Sequence, residues 1–210
     1  MKIIAINSSP RKPGSLSSLV EEACRGARDK GARVEEVRLA ELNIGYCRFC
    51  MTCFRDPDSQ IGRCVQDDDM KQVLTLLKEA DGYIMASQVS SGHANAIFKT
   101  FIERCTYTAG TPKRKVLWIK GIPTPRFTDR QRFAVTIVTA GGIPGYFRVF
   151  CNTATRQMKE LGSYVLNARV TGSLYAGSIH SRGLRKKHLK KAYRLGASLP
   201  WAIEKAAAPE

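Results

Sequence analysis

Short apolar runs closed by turn residues alternate along this chain with stretches of helical periodicity, and that alternation restricts the fold more than any other feature. Lys2 to Ser8 reads as a buried strand. Ser15 to Lys30 reads as a helix, with Leu19, Ala23 and Ala27 at helical spacing and Gly31 placed as its C′ residue. Val34 to Leu39 gives a second strand, and Asp67 or Asp68 is placed as the N-cap of a helix carrying Met70, Val73, Leu74 and Leu77. Gly82 to Ser87 is a third strand, Asn95 to Arg104 a helix, and Phe133 to Ala140 a buried strand closed by Gly141-Gly142. A helix over Phe147 to Leu161, a strand over Tyr164 to Val170 and a helix over Leu184 to Glu204, ended or kinked by Pro200, complete the series. This order predicts an α/β protein with a parallel sheet covered by helices on both faces. Ligands of such sheets sit beyond the carboxyl ends of the strands. Three turn-rich segments fall there and are expected to meet: Ser8 to Ser17, Ser87 to His93, and Thr139 to Tyr146.

The 210 residues suffice for a single domain, 1–210, with a cysteine-rich insertion at 44–66. No apolar stretch is long enough to span a bilayer. The apolar part of Met1 to Asn7 is too short for a signal peptide and meets turn residues at once, so a cytoplasmic protein is expected. Seven cysteines without an export signal argue against a disulfide framework. The formal net charge of +16 attracts anions: nucleotides, phosphate groups or acidic redox partners. Much of it lies late, in Arg182, Arg185, Lys186, Lys187, Lys190, Lys191 and Arg194, which reads first as a solvated helix face. No recognised nucleic-acid module accompanies the charge, so nucleic acid is not the expected partner.

The loop after the first strand carries the chemistry of an anion site. Ser8, Ser9, Ser15, Ser17 and Ser18 offer hydroxyls, Arg11 and Lys12 offer charge, and Gly14 relieves crowding near the backbone. The loop feeds into a helix whose free N–H groups and dipole favour an anion. It lacks the Gly-Lys-Ser/Thr ending of a Walker loop and the three spaced glycines of a dinucleotide fingerprint.

Asn7-Ser8-Ser9-Pro10-Arg11-Lys12-Pro13-Gly14-Ser15 resembles the phosphate loop of NADPH-dependent FMN reductases and iron–sulfur flavoproteins. The likeness continues through Cys47 to Cys53, Cys64 to Met70, Ala80 to Ile84, Ser87 to Gly92 and Phe98 to Arg104, and is weaker in the second half. The resemblance implies a flavodoxin-like three-layer sandwich with a five-stranded parallel sheet. It also implies FMN held at its phosphate end by Ser9, Arg11, Lys12, Gly14, Ser15, Leu16 and Ser17. Ser87, Gln88, Val89, Ser90, Ser91 and Gly92 would line the flavin ring with backbone groups. Family members often carry an aromatic residue near Ser90 or Ser91, where this chain has serine. Thr139, Ala140, Gly141 and Gly142 would approach the ring from the other side, where glycine permits close backbone approach. Tyr146 and Phe147 read either as a shield for the flavin or as core aromatics. A lone histidine such as His93 is more often structural or solvent-facing.

Cys47, Cys50 and Cys53 fall at C-x2-C-x2-C spacing, with Cys64 beyond a further ten residues. Spacing alone leaves a cluster, a structural zinc and free thiols open. By resemblance these four are the ligands of a [4Fe–4S] cluster in iron–sulfur flavoproteins, with a longer gap before Cys64 here. Cys24, Cys105 and Cys151 lie in expected helices and read as small buried hydrophobes. The chain is therefore expected to be an FMN-dependent oxidoreductase and a homo-oligomer, exchanging electrons with small-molecule or redox-protein donors and acceptors and carrying no catalytic side chain. Cluster-free NAD(P)H-dependent reduction of flavin, quinone or another small acceptor is one alternative. A non-enzymatic electron carrier docking an acidic partner is another.

Overall fold

The computed structural model describes residues 1–207, except the side chains of Lys120, Phe150 and Cys151. In chain order the elements are β1 (Lys2–Asn7), α1 (Ser15–Arg28), β2 (Arg33–Arg38), α2 (Met70–Glu79), β3 (Gly82–Ser90), β4 (His93–Ala94) and α3 (Ala96–Cys105). Then come β5 (Gly110–Val116), β6 (Ile119–Pro125), β7 (Arg132–Thr139), α4 (Arg148–Cys151), α5 (Thr153–Tyr164), β8 (Ala168–Ala176), α6 (Ile179–Arg182) and α7 (Lys186–Ala207). Five strands pair in parallel in the order β2-β1-β3-β7-β8. This is the flavodoxin-like order, with its switch point between β1 and β3.

Successive strand residues face opposite sides of the sheet, so each central strand feeds two cores. Ile4, Ile6, Tyr83, Met85, Ala134 and Val138 pack in the core shared with α2, α3 and α5. Ile3, Ala5, Ile84, Ala86, Val135 and Ile137 pack in the core shared with α1 and α7. Burial on both faces explains why β1, β3 and β7 read as near-continuous apolar runs. On the second face α1 and α7 approach until only glycine fits: a Cβ on Gly196 would lie 1.8 Å from the Ala23 carbonyl oxygen. At the amino end of β7, fully buried Arg132 donates to the carbonyls of Lys78, Ala80 and Phe127 and to Asp129.

Several boundaries differ from the sequence expectation. β3 does not stop at Ser87 but runs to Ser90 and turns through Ser91 and Gly92, both at positive φ, into β4. The expected helix from Phe147 is broken at Asn152 into α4 and α5. The last strand is not 164–170: Tyr164 closes α5, the N–H groups of Val165 and Leu166 both reach the Leu161 carbonyl, and the chain reverses at Asn167 with φ 50°. The apolar residues that suggested a strand there plug a helix end. α7 runs through Pro200 to Ala207. The antiparallel β5–β6 pair has no strand signal in the sequence because its lysines, Arg114 and its prolines mask the apolar alternation. The N-cap of α2 is Asp69, while Asp68 Oδ1 accepts from the Met70 N–H.

Candidate functional site

The loop after β1 is shaped by its own polar groups. Asn7 Oδ1 accepts from the Ser9 N–H at 2.9 Å. The hydroxyls of Ser9 and Ser17 both donate to the Arg11 carbonyl, at 3.1 and 2.9 Å. These two hydroxyls brace the loop rather than stand open. Leu16 is buried, so only its backbone faces a ligand. Gly14 is the N-cap of α1 without a side-chain cap, and the first turn carries no acid. The N–H groups of Ser15, Leu16 and Ser17 therefore have no intrahelical acceptor. They open beside exposed Arg11 and Lys12, an arrangement that favours an anion.

Sequence reasoning missed the residue that joins this loop to the next segment. Asn95 Nδ2 donates to the Ser8 carbonyl at 2.9 Å, its N–H donates to Ser87 Oγ at 3.1 Å, and its Oδ1 caps α3 by accepting from the Phe98 N–H. An asparagine immediately before an apolar helical run was the available signal. Gln88 and Thr139 lie side by side in the β3–β7 register, and Thr139 and Ala176 in the β7–β8 register. Thus the segments ending β1, β3 and β7 line one edge of the sheet. Part of the backbone of Val89 and Ser90 is committed to pairing with Ala94 and His93. His93 is exposed and its Nδ1 lies 2.9 Å from the Ser91 carbonyl, a local turn contact. Gly141 and Gly142 are exposed at the same edge. Tyr146 and Phe147 are exposed, their rings 4.9 Å apart and tilted by 48°, which removes the core-aromatic reading. A Cβ on Gly177 would lie 2.3 Å from the Ile143 carbonyl, so the connection after β8 presses on the loop after β7.

Cys47, Cys50, Cys53 and Cys64 line one small cavity of about 100 Å³. Phe49 and Met51, on either side of Cys50, take φ of 49° and 60°, a conformation costly for side chains of their size. Burial raises the Cys53 thiol, and the nearby Cys64, Cys47 and Cys50 raise it further. Hydrogen bonds from Thr52 lower Cys50. Two arginines frame this segment. Arg104 donates to the Gly45 carbonyl and Cys64 Sγ as well as to Asp68. Arg126 donates to the carbonyls of Cys53, Asp56, Ser59, Tyr107 and Gly110. Among the described residues no three His, Cys, Asp or Glu side chains stand close enough to share one metal ion. The four thiols thus share a cavity without converging on a single point. Cys24 and Cys105 are buried as expected, whereas the Cys151 side chain lies outside the described residues.

The model of the family described as NADPH-dependent FMN reductase matches residues 1–175. An iron-sulfur flavoprotein of Archaeoglobus fulgidus is 29% identical over 97% of this chain and 81% of its own. An iron-sulfur flavoprotein of Methanocaldococcus jannaschii is 35% identical over 50% of this chain, and the match spans about half of that protein, 51%. The solved NAD(P)H:quinone oxidoreductase of Methanothermobacter marburgensis superposes with TM-score 0.71 at 17% identity, over 95% of this chain and 98% of that one. At that identity the likeness speaks to the fold alone.

Proposed function

Because this chain belongs to the NADPH-dependent FMN reductase family, we propose that it is an FMN-dependent oxidoreductase passing electrons from NAD(P)H or a redox-protein donor to a small-molecule or protein acceptor. The observation that carries this reading is the uncapped start of α1 at the β1/β3 switch point, free of acidic residues and flanked by Arg11 and Lys12. The N–H groups of Ser15, Leu16 and Ser17 would hold the flavin phosphate, with Ser9 and Gly14 keeping the loop open. The backbone of Ser87 to Gly92 on one side and Thr139 to Gly142 on the other would orient the ring. FMN, when bound, supplies the hydride and electron chemistry. The side chains here bind and orient, and none is assigned a proton-transfer role.

Cys47, Cys50, Cys53 and Cys64 would hold a [4Fe–4S] cluster, which supplies one-electron transfer when bound. The shared cavity and the left-handed backbone at Phe49 and Met51 support this assignment. Free thiols suit a reducing, cytoplasmic setting. A homo-oligomer fits the exposed apolar tip of the β5–β6 hairpin at Leu117, Trp118 and Ile119. The deciding experiment is the visible spectrum of anaerobically purified protein, followed by steady-state NAD(P)H oxidation. Flavin bands with a broad iron–sulfur shoulder are expected. Flavin bands alone leave a cluster-free reductase. Protein that takes up no FMN on reconstitution would overturn the reading.

A further inference from the structure

We propose that the cavity between the end of β8 and the start of α7 binds the phosphate of a small nucleotide, at a site separate from the loop after β1. The cavity measures about 640 Å³, within the usual range for small-molecule sites. Arg182, Arg185, Lys187, Lys190, Lys191 and Arg194 line it, and no Asp or Glu does. Among the described residues none of these cations forms a salt bridge. Like charges converging on a concave, low-dielectric wall focus a positive potential and concentrate anions.

Two further observations favour a bound anion over a merely solvated face. The lysines crowd the first turns of α7, which carry no acid, so they stand at the positive end of the helix dipole, where cations are disfavoured. An anion in the cavity relieves both repulsions. Arg185 Nε is buried without a partner, while Arg185 Nη2 lies 3.5 Å from Nε2 of buried His188, which braces the guanidinium. A phosphate accepting from the guanidinium would satisfy charge that no protein group meets.

The shape selects the ligand class. The cations line a cavity rather than a flat face, which favours a small ligand over an acidic protein. Tyr146 and Tyr175 also line it, offering aromatic surface for a base. Pro144 to Tyr146 belong to the loop that leads on from Thr139 to Gly142, so this cavity adjoins the edge assigned to the flavin ring. Both α1 and α7 follow strands of one parallel sheet, and their starts therefore open at the same edge. The phosphate arm of a dinucleotide donor and a free nucleotide share this chemistry.

The test is calorimetric titration of the FMN-loaded protein with adenosine 2′,5′-bisphosphate, ADP, adenosine and inorganic phosphate. The phosphorylated nucleotides are expected to bind and adenosine not to. Arg185→Gln and, independently, the exposed-site variant Lys191→Gln are expected to weaken them roughly ten- to a hundredfold, the loss of a charge-assisted hydrogen bond. Flavin content and thermal midpoint serve as controls for both variants. Competition by NADPH would identify the donor's phosphate arm, and indifference to NADPH a free nucleotide; both support the site. Repeating the titration without flavin, with Arg185→Gln beside the parent, separates this site from the flavin reading, because a loss of nucleotide affinity that follows Arg185 marks this cavity whether or not FMN binds the loop after β1. Absence of binding by every phosphorylated probe, or equal affinity in both variants, would overturn the proposal.

Discussion

Arg104 and Asp68 meet in a two-pronged pair, Nη1 to Oδ2 at 2.6 Å and Nη2 to Oδ1 at 2.9 Å, with the side chains only 2% and 8% exposed. The pair joins α3 to the segment before α2 and backs the cysteine cavity through the Arg104–Cys64 contact. Burial on its own would raise the Asp68 carboxyl. The Arg104 hydrogen bonds, the Gly45 N–H and the guanidinium charge outweigh it and hold the group below its ordinary range.

Asp68→Ala strands the Arg104 cation in a buried place and is expected to cost about 3–5 kcal/mol in urea denaturation. Because the folded-state value is depressed, the contribution of Asp68 is complete above the unfolded carboxyl value of about 3.9 and fades as pH falls through the lower folded one. The stability gap between parent and variant should therefore narrow in acid. A gap that widens there would show that another interaction dominates.

Gly14→Asp separates helix stability from flavin binding. A carboxylate at the N-cap satisfies the free N–H groups of α1 and changes stability by only a few tenths of a kcal/mol. The same carboxylate meets the flavin phosphate with like charge, so FMN affinity is expected to fall roughly tenfold or more. Flavin fluorescence titration reads the affinity, and unchanged affinity would remove the phosphate from this cradle.

Asn95→Ser keeps an oxygen for the α3 cap while deleting the Nδ2 bond to the Ser8 carbonyl. Asn95→Ala deletes both and is expected to cost about 1–2 kcal/mol. If the link between the two loops positions the flavin, both variants weaken FMN similarly although only the alanine variant loses the cap. Thermal melts set beside flavin titrations distinguish those effects.

In protein stripped of any cluster, thiol reactivity should follow a fixed order. Exposed Cys50, lowered by its bonds with Thr52, is alkylated first near neutral pH, and Cys53, raised by burial and by neighbouring thiols, later. Cys24, pushed up to about 12 by burial, and Cys105, pushed up further, react only on unfolding. Timed alkylation with mass spectrometry gives the order directly. Early labelling of Cys24 would mean that the α1 face opens locally.

Gly196→Ala places a methyl group where only 1.8 Å separates it from the Ala23 carbonyl. The gain in helix propensity, about 1 kcal/mol, is outweighed because backbone on both helices must move. A net loss of at least about 2 kcal/mol is expected from overpacking of this kind. A stabilised variant would show that α1 and α7 slide apart easily.

The sheet was legible because β1, β3 and β7 are buried on both faces and so carry unbroken apolar runs. β8 lies at the sheet edge, where Thr171, Gly172 and Ser173 dilute the signal, and Val165 and Leu166 drew the expectation forward. The loop after β1 was readable from its composition and its place between strand and helix. Its internal bonds were not: that Ser9 and Ser17 spend their hydroxyls on the Arg11 carbonyl depends on a fold of the loop that spacing does not encode. Asn95, Arg104 and Arg126 act across long sequence separations, up to 87 residues from Asn95 to Ser8, where periodicity carries no information. The basic run was visible as charge, but its concavity needed the end of β8 and the loop after β7 beside it.

Arg126 holds Cys53, Asp56 and Ser59 by their carbonyls, all in the stretch that separates Cys53 from Cys64. Spacer and arginine thus act as one structural unit. A relative that shortens the spacer removes the carbonyls and frees that position to drift, whereas a relative that keeps the long spacer is expected to keep an arginine at the matching place. Comparing loop length with residue type across such chains would reveal the pairing without any measurement on the protein itself.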